Sequence, residues 1–308
     1  MERKKELKND QTQNDYLENL RMNIVFKENT ILFASIALGL GIFALTGQPM
    51  FLIALIAFGL TTRIISTQDK RKFYDEYKRI VVSETFREIF SNIYYEHDKG
   101  IDIQKIIDCD ILPEIESYES YDYLKASIND INFECADVTI YDKNIVNTKN
   151  RDKSISFKGQ WYIFDLNENY MSDIQIIDKK YKYNKRIVEA FKKLNPNEEI
   201  KNFIYLETDN NKFNELFNLY TIVDFDAINF LKPEIINNII QLNKKVYGEL
   251  LICIHENQLH IGVNNFYNNF EPKTHKKIDI ENDKQKVRKE LEDIANFIIE
   301  FNLLDTNN

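Results

Sequence analysis

The chain has 308 residues, 44% hydrophobic and 29% charged, with a net charge of −9. That length supports one large or two small cores beside any membrane segment, and the acidic balance argues against non-specific nucleic-acid binding, so no nucleic-acid partner is expected. Eight glycines are few for phosphate-cradling loops, and Cys109, Cys135 and Cys253, odd in number, widely spaced and without a CxxC, read as reduced thiols of a cytosolic domain.

Residues 1–29 carry six basic and six acidic groups and predict a helix from about Asp15, whose side chain can cap a turn bearing Leu17, Leu20 and Ile24. No charge occurs between Glu28 and Arg63. This stretch reads as two apolar helices broken at Gly47-Gln48-Pro49, where Gly permits φ > 0 and Pro begins a new helix. Each half is about 17 residues, the short end of what a span requires. Each holds nine Leu, Ile or Phe residues, for a gain of about 3–5 kcal/mol on insertion, and neither has the polar face of a soluble helix. A transmembrane helical hairpin over 30–66 follows, with the lipid bilayer as its first partner. Ser35/Gly39 and Ala37/Gly41 are small pairs four apart that let backbones approach, within the hairpin or between copies as a homo-oligomer. Residues 63–80 net +3, and the chain outside 1–29 and 63–80 nets −12. Basic flanks predict a multi-pass protein of the bacterial inner membrane with both termini cytoplasmic. No secretory signal is expected, since the first apolar run lies behind a long charged segment.

A neck helix is expected from Thr67 to about Ile93, within a neck segment 67–96, from the helical spacing of Phe73, Tyr77 and Ile80 and then of Phe86, Ile89 and Ile93. The remainder, 97–308, reads as a cytoplasmic α+β domain. Ile101–Ile107 suggests a short helix. From Tyr121 the period becomes two, and a hairpin turns at Asn129-Asp130. Residues 142–154 are polar and read as a loop. Ile155–Asn167 is the strongest strand, apolar on both faces around Trp161. Asp173–Asp178 gives a further strand, Tyr183–Leu194 a helix, and Ile204–Glu207 and Phe217–Val223 two more strands. Pro233-Glu234 opens a helix with a stripe of Ile235, Ile236, Ile239, Ile240 and Leu242. Glu249–Val263 is a hairpin turning at Glu256-Asn257. Asp283–Leu304 is a long C-terminal helix whose Val287, Leu291, Ile294, Ile298 and Phe301 form one apolar stripe. The fold class is therefore a transmembrane hairpin followed by a mainly antiparallel sheet of about eight strands, a partly open barrel as a variant, covered by helices.

If Glu256-Asn257 is the turn, Cys253 faces His260 with His255 on the same side, three groups able to bind zinc. The spacing is not HExxH and no fourth ligand is assigned, so no metal or other cofactor is expected. His97-Asp98 beside Gly100 reads as a solvated loop. There is no P-loop, GxGxxG or GxSxG, and no catalytic residue is assigned. The residues singled out for interaction are Trp161, Asp165 and Glu271, with turn and strand-end capping as the plainer role of the two carboxylates.

The ordered residues Tyr95…Lys99-Gly100-Ile101, Phe157-Lys158-Gly159-Gln160-Trp161…Asp165-Leu166-Asn167, Leu206-Glu207, Phe213…Phe217…Tyr220, Asp226-Ala227, Leu231…Pro233 and Phe270-Glu271-Pro272 resemble a bacterial domain-of-unknown-function family, the one numbered 3137. The resemblance implies two N-terminal spans and a cytoplasmic domain, and implies no activity. The chain departs from that pattern at Ile228 and Lys232, where the family tends to carry Arg and Thr. It departs also at Cys253 and His255, where apolar or hydroxyl residues are favoured, which weakens the zinc reading. The function expected is a non-enzymatic membrane-anchored binding or scaffold module for an unidentified protein or lipid head-group partner. The alternatives are a membrane effector whose hairpin oligomerises on a cytoplasmic signal, and a hydrolase or transferase using Asp165 and Glu271.

Overall fold

The computed structural model describes residues 2–47, 55, 58, 68–142, 154–166, 173–183, 203–223, 227, 230–267 and 270–305. The chain divides into two compact units, 1–85 with 270–287 and 86–269 with 288–308.

The first unit is built on α1, Glu2–Thr46, one unbroken helix of 45 residues. The charged segment and the first apolar stretch join because neither Gly nor Pro occurs before Gly39, so nothing interrupts the backbone ladder. Among the described residues this is the one helix long and apolar enough to cross a membrane, over Gln11–Thr46, where the sequence predicts a two-helix hairpin. Most of the second arm, 48–54, 56, 57 and 59–67, lies outside the described residues. Its two described positions, Leu55 and Phe58, are helical, and a Cβ on Gly39 would come within 2.4 Å of Leu55 Cδ1. A second helix, α2, runs over 68–89, with a π-helical turn at Lys78–Val82 and a last stretch at Ser83–Ile89. Lys27–Asp69 and Lys70–Glu28 pair at 2.6 Å, and Gln13 Nε2 donates to Glu84 at 3.4 Å. The segment 270–287 is tied to α1 by buried polar groups. Arg21 donates to Glu18 and to the Thr274 carbonyl at 3.0 Å, and Glu18 accepts from the Ile278 amide at 3.0 Å.

The second unit is a nine-stranded antiparallel sheet in the order β1-β2-β3-β4-β9-β8-β5-β7-β6. The strands are β1 Ser91–Glu96, β2 Ile115–Ile128, β3 Ile131–Asp142, β4 Ser154–Asp165, β5 Ile174–Asp178, β6 Ile204–Leu206, β7 Phe217–Thr221, β8 Glu249–His255 and β9 Gln258–Asn264. Among the described residues β1 pairs only with β2 and β6 only with β7. The sheet is therefore open, with nine strands, and the barrel variant is corrected: closure needs the two edges to pair. The helices are α3 Ile103–Asp108, α4 Asn211–Leu216, α5 Pro233–Lys245 and α6 Ile280–Asp305.

Both hairpins turn where the sequence places them. Asn129 and Asp130 have φ of 46° and 64°, and Glu256 and Asn257 have 45° and 62°. Two successive positive φ values make a type I′ turn, whose twist matches the strands. The neck helix is corrected. It ends at Ile89, and Ser91–Glu96 is an edge strand paired with β2, its Ser91 hydroxyl donating to the Ser127 carbonyl at 3.1 Å. Helical spacing at Ile89 and Ile93 gives way because cross-strand pairing satisfies the same backbone groups. β2 also begins earlier than expected, at Ile115. α4 was not legible beforehand, although Asn210 caps it by accepting from the Phe213 amide. The expected helix 183–194 and loop 142–154 lie almost wholly outside the described residues.

α5 begins with Pro233 in its first turn and buries Ile235, Ile236, Ile239, Ile240 and Leu242, as its stripe requires. On one sheet face Phe133, Tyr162 and Phe164 pack against Leu291, Ile294 and Ala295 of α6 around a space of only about 10 Å³. The other face carries Trp161, Phe157 and Cys253 beneath Ile106 and Cys109 of α3 and the turn after it.

Candidate functional site

Cross-strand partners share a face, so the register assigns the second face residue by residue. Gln175 opposes Cys253, Cys253 opposes His260, His260 opposes Ile163, and Ile163 opposes Glu134. One rung along, Ala136 opposes Trp161 and Trp161 opposes Gly262. The indole fits between the two small residues; a Cβ on Gly262 would meet its ring at 2.7 Å. At the strand ends Asp165 opposes Gln258, and Gln258 opposes His255.

This face carries a polar strip within an apolar layer. Trp161 is fully buried, and its Nε1 donates to His260 Nδ1 at 3.3 Å. An indole nitrogen is only a donor, so Nδ1 accepts and the proton of the neutral imidazole sits on Nε2. Nε2 is thereby a donor, not a metal ligand. It finds no hydrogen-bond partner among the described residues, and neither does Gln175 Oε1, whose amide nitrogen donates to the Cys109 carbonyl at 2.7 Å. Cys253 Sγ points to the same carbonyl at 3.7 Å. Burial pushes the Cys109 thiol well up, with the neighbouring Cys253 adding to the rise, so it is a poor nucleophile. His255 turns to Asp173 instead, Nδ1 to Oδ1 at 2.7 Å. The three zinc-capable groups thus take three different partners. Among the described residues no group of three or more His, Cys, Asp and Glu is placed to hold a metal ion.

A half-open rim borders the strip. Glu134 pairs with Lys105 of α3 and accepts from the Tyr123 hydroxyl at 2.7 Å. Lys99 lies over the rings of Tyr123 and Tyr94, 4.5 and 5.1 Å from their centroids. Asp165 is exposed and accepts from Gln258 Nε2 at 3.0 Å. The rim fixes the carboxylates of Glu134 and Asp165 by ion pair and hydrogen bond.

Of the residues singled out from sequence, Trp161 and Asp165 share this face with Cys253, His255 and His260. Glu271 is exposed and belongs to the other unit. On α1, Ser35 and Gly39 are buried, whereas Ala37 and Gly41 are exposed and Gly41 has nothing within 4 Å of a built Cβ. Asp173, Gln175 and Glu134 were missed. Asp173 begins an evident strand, but only the insertion of β5 beside β8 brings it to His255.

Burial, with His255 and Lys105 nearby, lowers the pKa of His260 to about 3. The unfolded chain then binds one more proton than the folded chain between pH 6.5 and 3. Stability should fall by about 1.4 kcal/mol per unit as pH drops through that window. Urea midpoints at several pH values should show that slope, and His260→Gln should flatten it; an equal slope in the variant would overturn the assignment.

Residues 155–303 match the family model described as a protein of unknown function (DUF3137). The match runs from β4 into α6 and contains the motifs from Phe157 to Pro272. Several have a packing role: Trp161 fills the space at Gly262, Pro233 starts α5, and Phe270 is 1% exposed. No curated protein matches the chain significantly. One solved structure, the mycobacterial trehalose monomycolate transport factor A, TtfA, is similar at 7% identity over 73% of this chain and 95% of that one, with a TM-score of 0.38. Two chains at that score need not share a fold.

Proposed function

We propose that this protein is a non-enzymatic, membrane-anchored binding module. In it α1 supplies the first arm of a two-helix transmembrane hairpin, both termini are cytoplasmic, and the sheet unit engages a partner at the inner membrane. The observation that carries the anchor is the exposure of α1: only 6% of its most apolar stretch is buried, with Phe33, Leu38, Leu40 and Leu45 more than half exposed. A core helix would be covered; an apolar helix left bare belongs in lipid. The hairpin is supported by pairing. Gln13 with Glu84, Lys27 with Asp69, Glu28 with Lys70 and Gly39 with Leu55 are, to within two positions, equidistant from Gln48. Antiparallel helices joined at Gly47-Gln48-Pro49 have that register.

The chain should pellet with membranes and leave them only in detergent, and a fluorescent reporter fused after Asn308 should be active in the cytoplasm. A monomeric chain clear in the supernatant without detergent overturns the anchor. Alkaline phosphatase activity at the same fusion point overturns the orientation.

A second reading, self-association through α1, is favoured by the split of its small residues, since Ala37 and Gly41 face outward. Gly41→Leu should weaken cross-linked dimers without changing expression, while Gly39→Leu should disturb the hairpin against Leu55. Unchanged dimer in Gly41→Leu would sink the seam.

A further inference from the structure

One end of the sheet presents aromatic side chains to solvent. Tyr247 precedes β8, and Phe266 and Tyr267 follow β9; they are 74, 51 and 49% exposed. The rings of Tyr247 and Tyr267 lie 5.8 Å apart. The backbone beneath is tightly determined. Phe266 has φ 60°, a left-handed conformation costly for a bulky side chain. Its amide and that of Asn265 both donate to the Lys158 carbonyl, at 2.9 and 3.1 Å, and the Tyr267 amide donates to Asn265 Oδ1 at 3.0 Å. Asn264, 2% exposed, accepts from the Lys158 amide at 2.8 Å and donates to Glu249 at 2.6 Å. Gly248, at φ 139°, has no room for a Cβ, which would stand 2.6 Å from the Asn264 carbonyl.

Lysines predominate among the exposed charges at this end, with Glu116 and Glu215 the exposed carboxylates near the strand partners of Asp142 and Asp178. Lys180, Lys182, Lys244 and Lys245 are exposed, Lys245 lying 3.9 Å from Asp293. The nearby carboxylates Asp142 and Asp178 are 3 and 2% exposed, and burial raises the Glu249 carboxyl above its usual range. A chain of net charge −9 thus turns a basic, aromatic surface outward here. Holding Phe266 in a strained turn to expose its ring costs free energy that bulk water does not return. A bilayer interface does: Tyr and Phe rings settle among head groups, and lysines pair with anionic phosphates.

We propose that this end of the sheet docks on the anionic head-group surface of the bilayer that holds α1. The inference rests on the anchored reading above. The test is photo-labelling of the full chain reconstituted in vesicles containing phosphatidylglycerol. Matched diazirine probes on phosphatidylglycerol and phosphatidylcholine are mapped by mass spectrometry. The anionic probe should label 244–248 and 265–267 at least about fivefold more than the zwitterionic one. Roughly 1 M salt, which shortens the screening length to about 3 Å, should remove the excess. The combined variant Lys180→Glu, Lys182→Glu, Lys244→Glu, Lys245→Glu should lose that labelling and keep adducts on 30–46. Adducts confined to 30–46 in the natural chain overturn the docking and leave the anchor standing. Absence of adducts on 30–46 overturns the anchor, and this proposal with it.

Discussion

Trp161→Ala should lower the stability of the sheet unit by about 3–5 kcal/mol, the cost of emptying a large buried side chain. The indole is fully buried between Ala136 and Gly262, edge-on to Phe157 at 5.3 Å, so no larger neighbour stands ready to fill the space. Trp161→Phe separates packing from polarity. It keeps most of the volume but strips the donor from His260 Nδ1, leaving a buried acceptor unmet at a cost of about 1–3 kcal/mol. In His260→Leu the same Trp161→Phe change should cost less, because the orphan is gone. Urea unfolding in detergent, read by far-ultraviolet dichroism, measures the natural chain and the four variants. A loss under about 1 kcal/mol for Trp161→Ala would mean the strip is not packed as described.

Gly159→Ala is the second large effect. A Cβ there would stand 2.0 Å from the Val263 carbonyl in the neighbouring strand, too close for any rotamer change to relieve. The strands must separate locally, for a loss of about 1–3 kcal/mol or more. The damage has a direction. Gly159 pairs with Asn264, and the next residue back, Lys158, receives the Asn265 and Phe266 amides. The turn carrying Phe266 and Tyr267 should therefore loosen first, seen as faster amide exchange at 264–267 than at the Trp161–Gly262 pair. Uniform acceleration across β4 and β9 would contradict this order. Gly262→Ala is the companion: its Cβ would meet the Trp161 ring at 2.7 Å, and the penalty should fall on Trp161 packing with amide exchange at 264–267 unchanged.

Much of the fold was legible. Ile131–Asp142 and Glu249–Asn264 show period two on either side of positive-φ turns, and the Cys253–His260 register follows from one turn assignment. The stripes of α5 and α6 follow from helical spacing. Less was legible of the site. Asp165 and Trp161 share a strand and hence a face, and His255, Cys253 and His260 share another hairpin, but that β4 pairs with β9 is a long-range fact. Asp173 and Gln175 entered the strip only because β5 lies beside β8, not beside β4 as chain order suggests. The edge strand β1 was hidden for the same reason: Ser91–Glu96 carries helical spacing, and its partner in β2 is some thirty residues on, Ser91 facing Ser127.

Local pattern alone determined most of the helices and strands, where the two tight turns fall, and that Thr30–Thr46 is too apolar to face water, because each depends on neighbours within a few residues. Tertiary structure alone decided the order of strands, the open sheet, the company His260 keeps and the basic aromatic end. Those depend on which distant segments bury one another, and a free energy shared among many long-range contacts leaves no mark on any single stretch of chain.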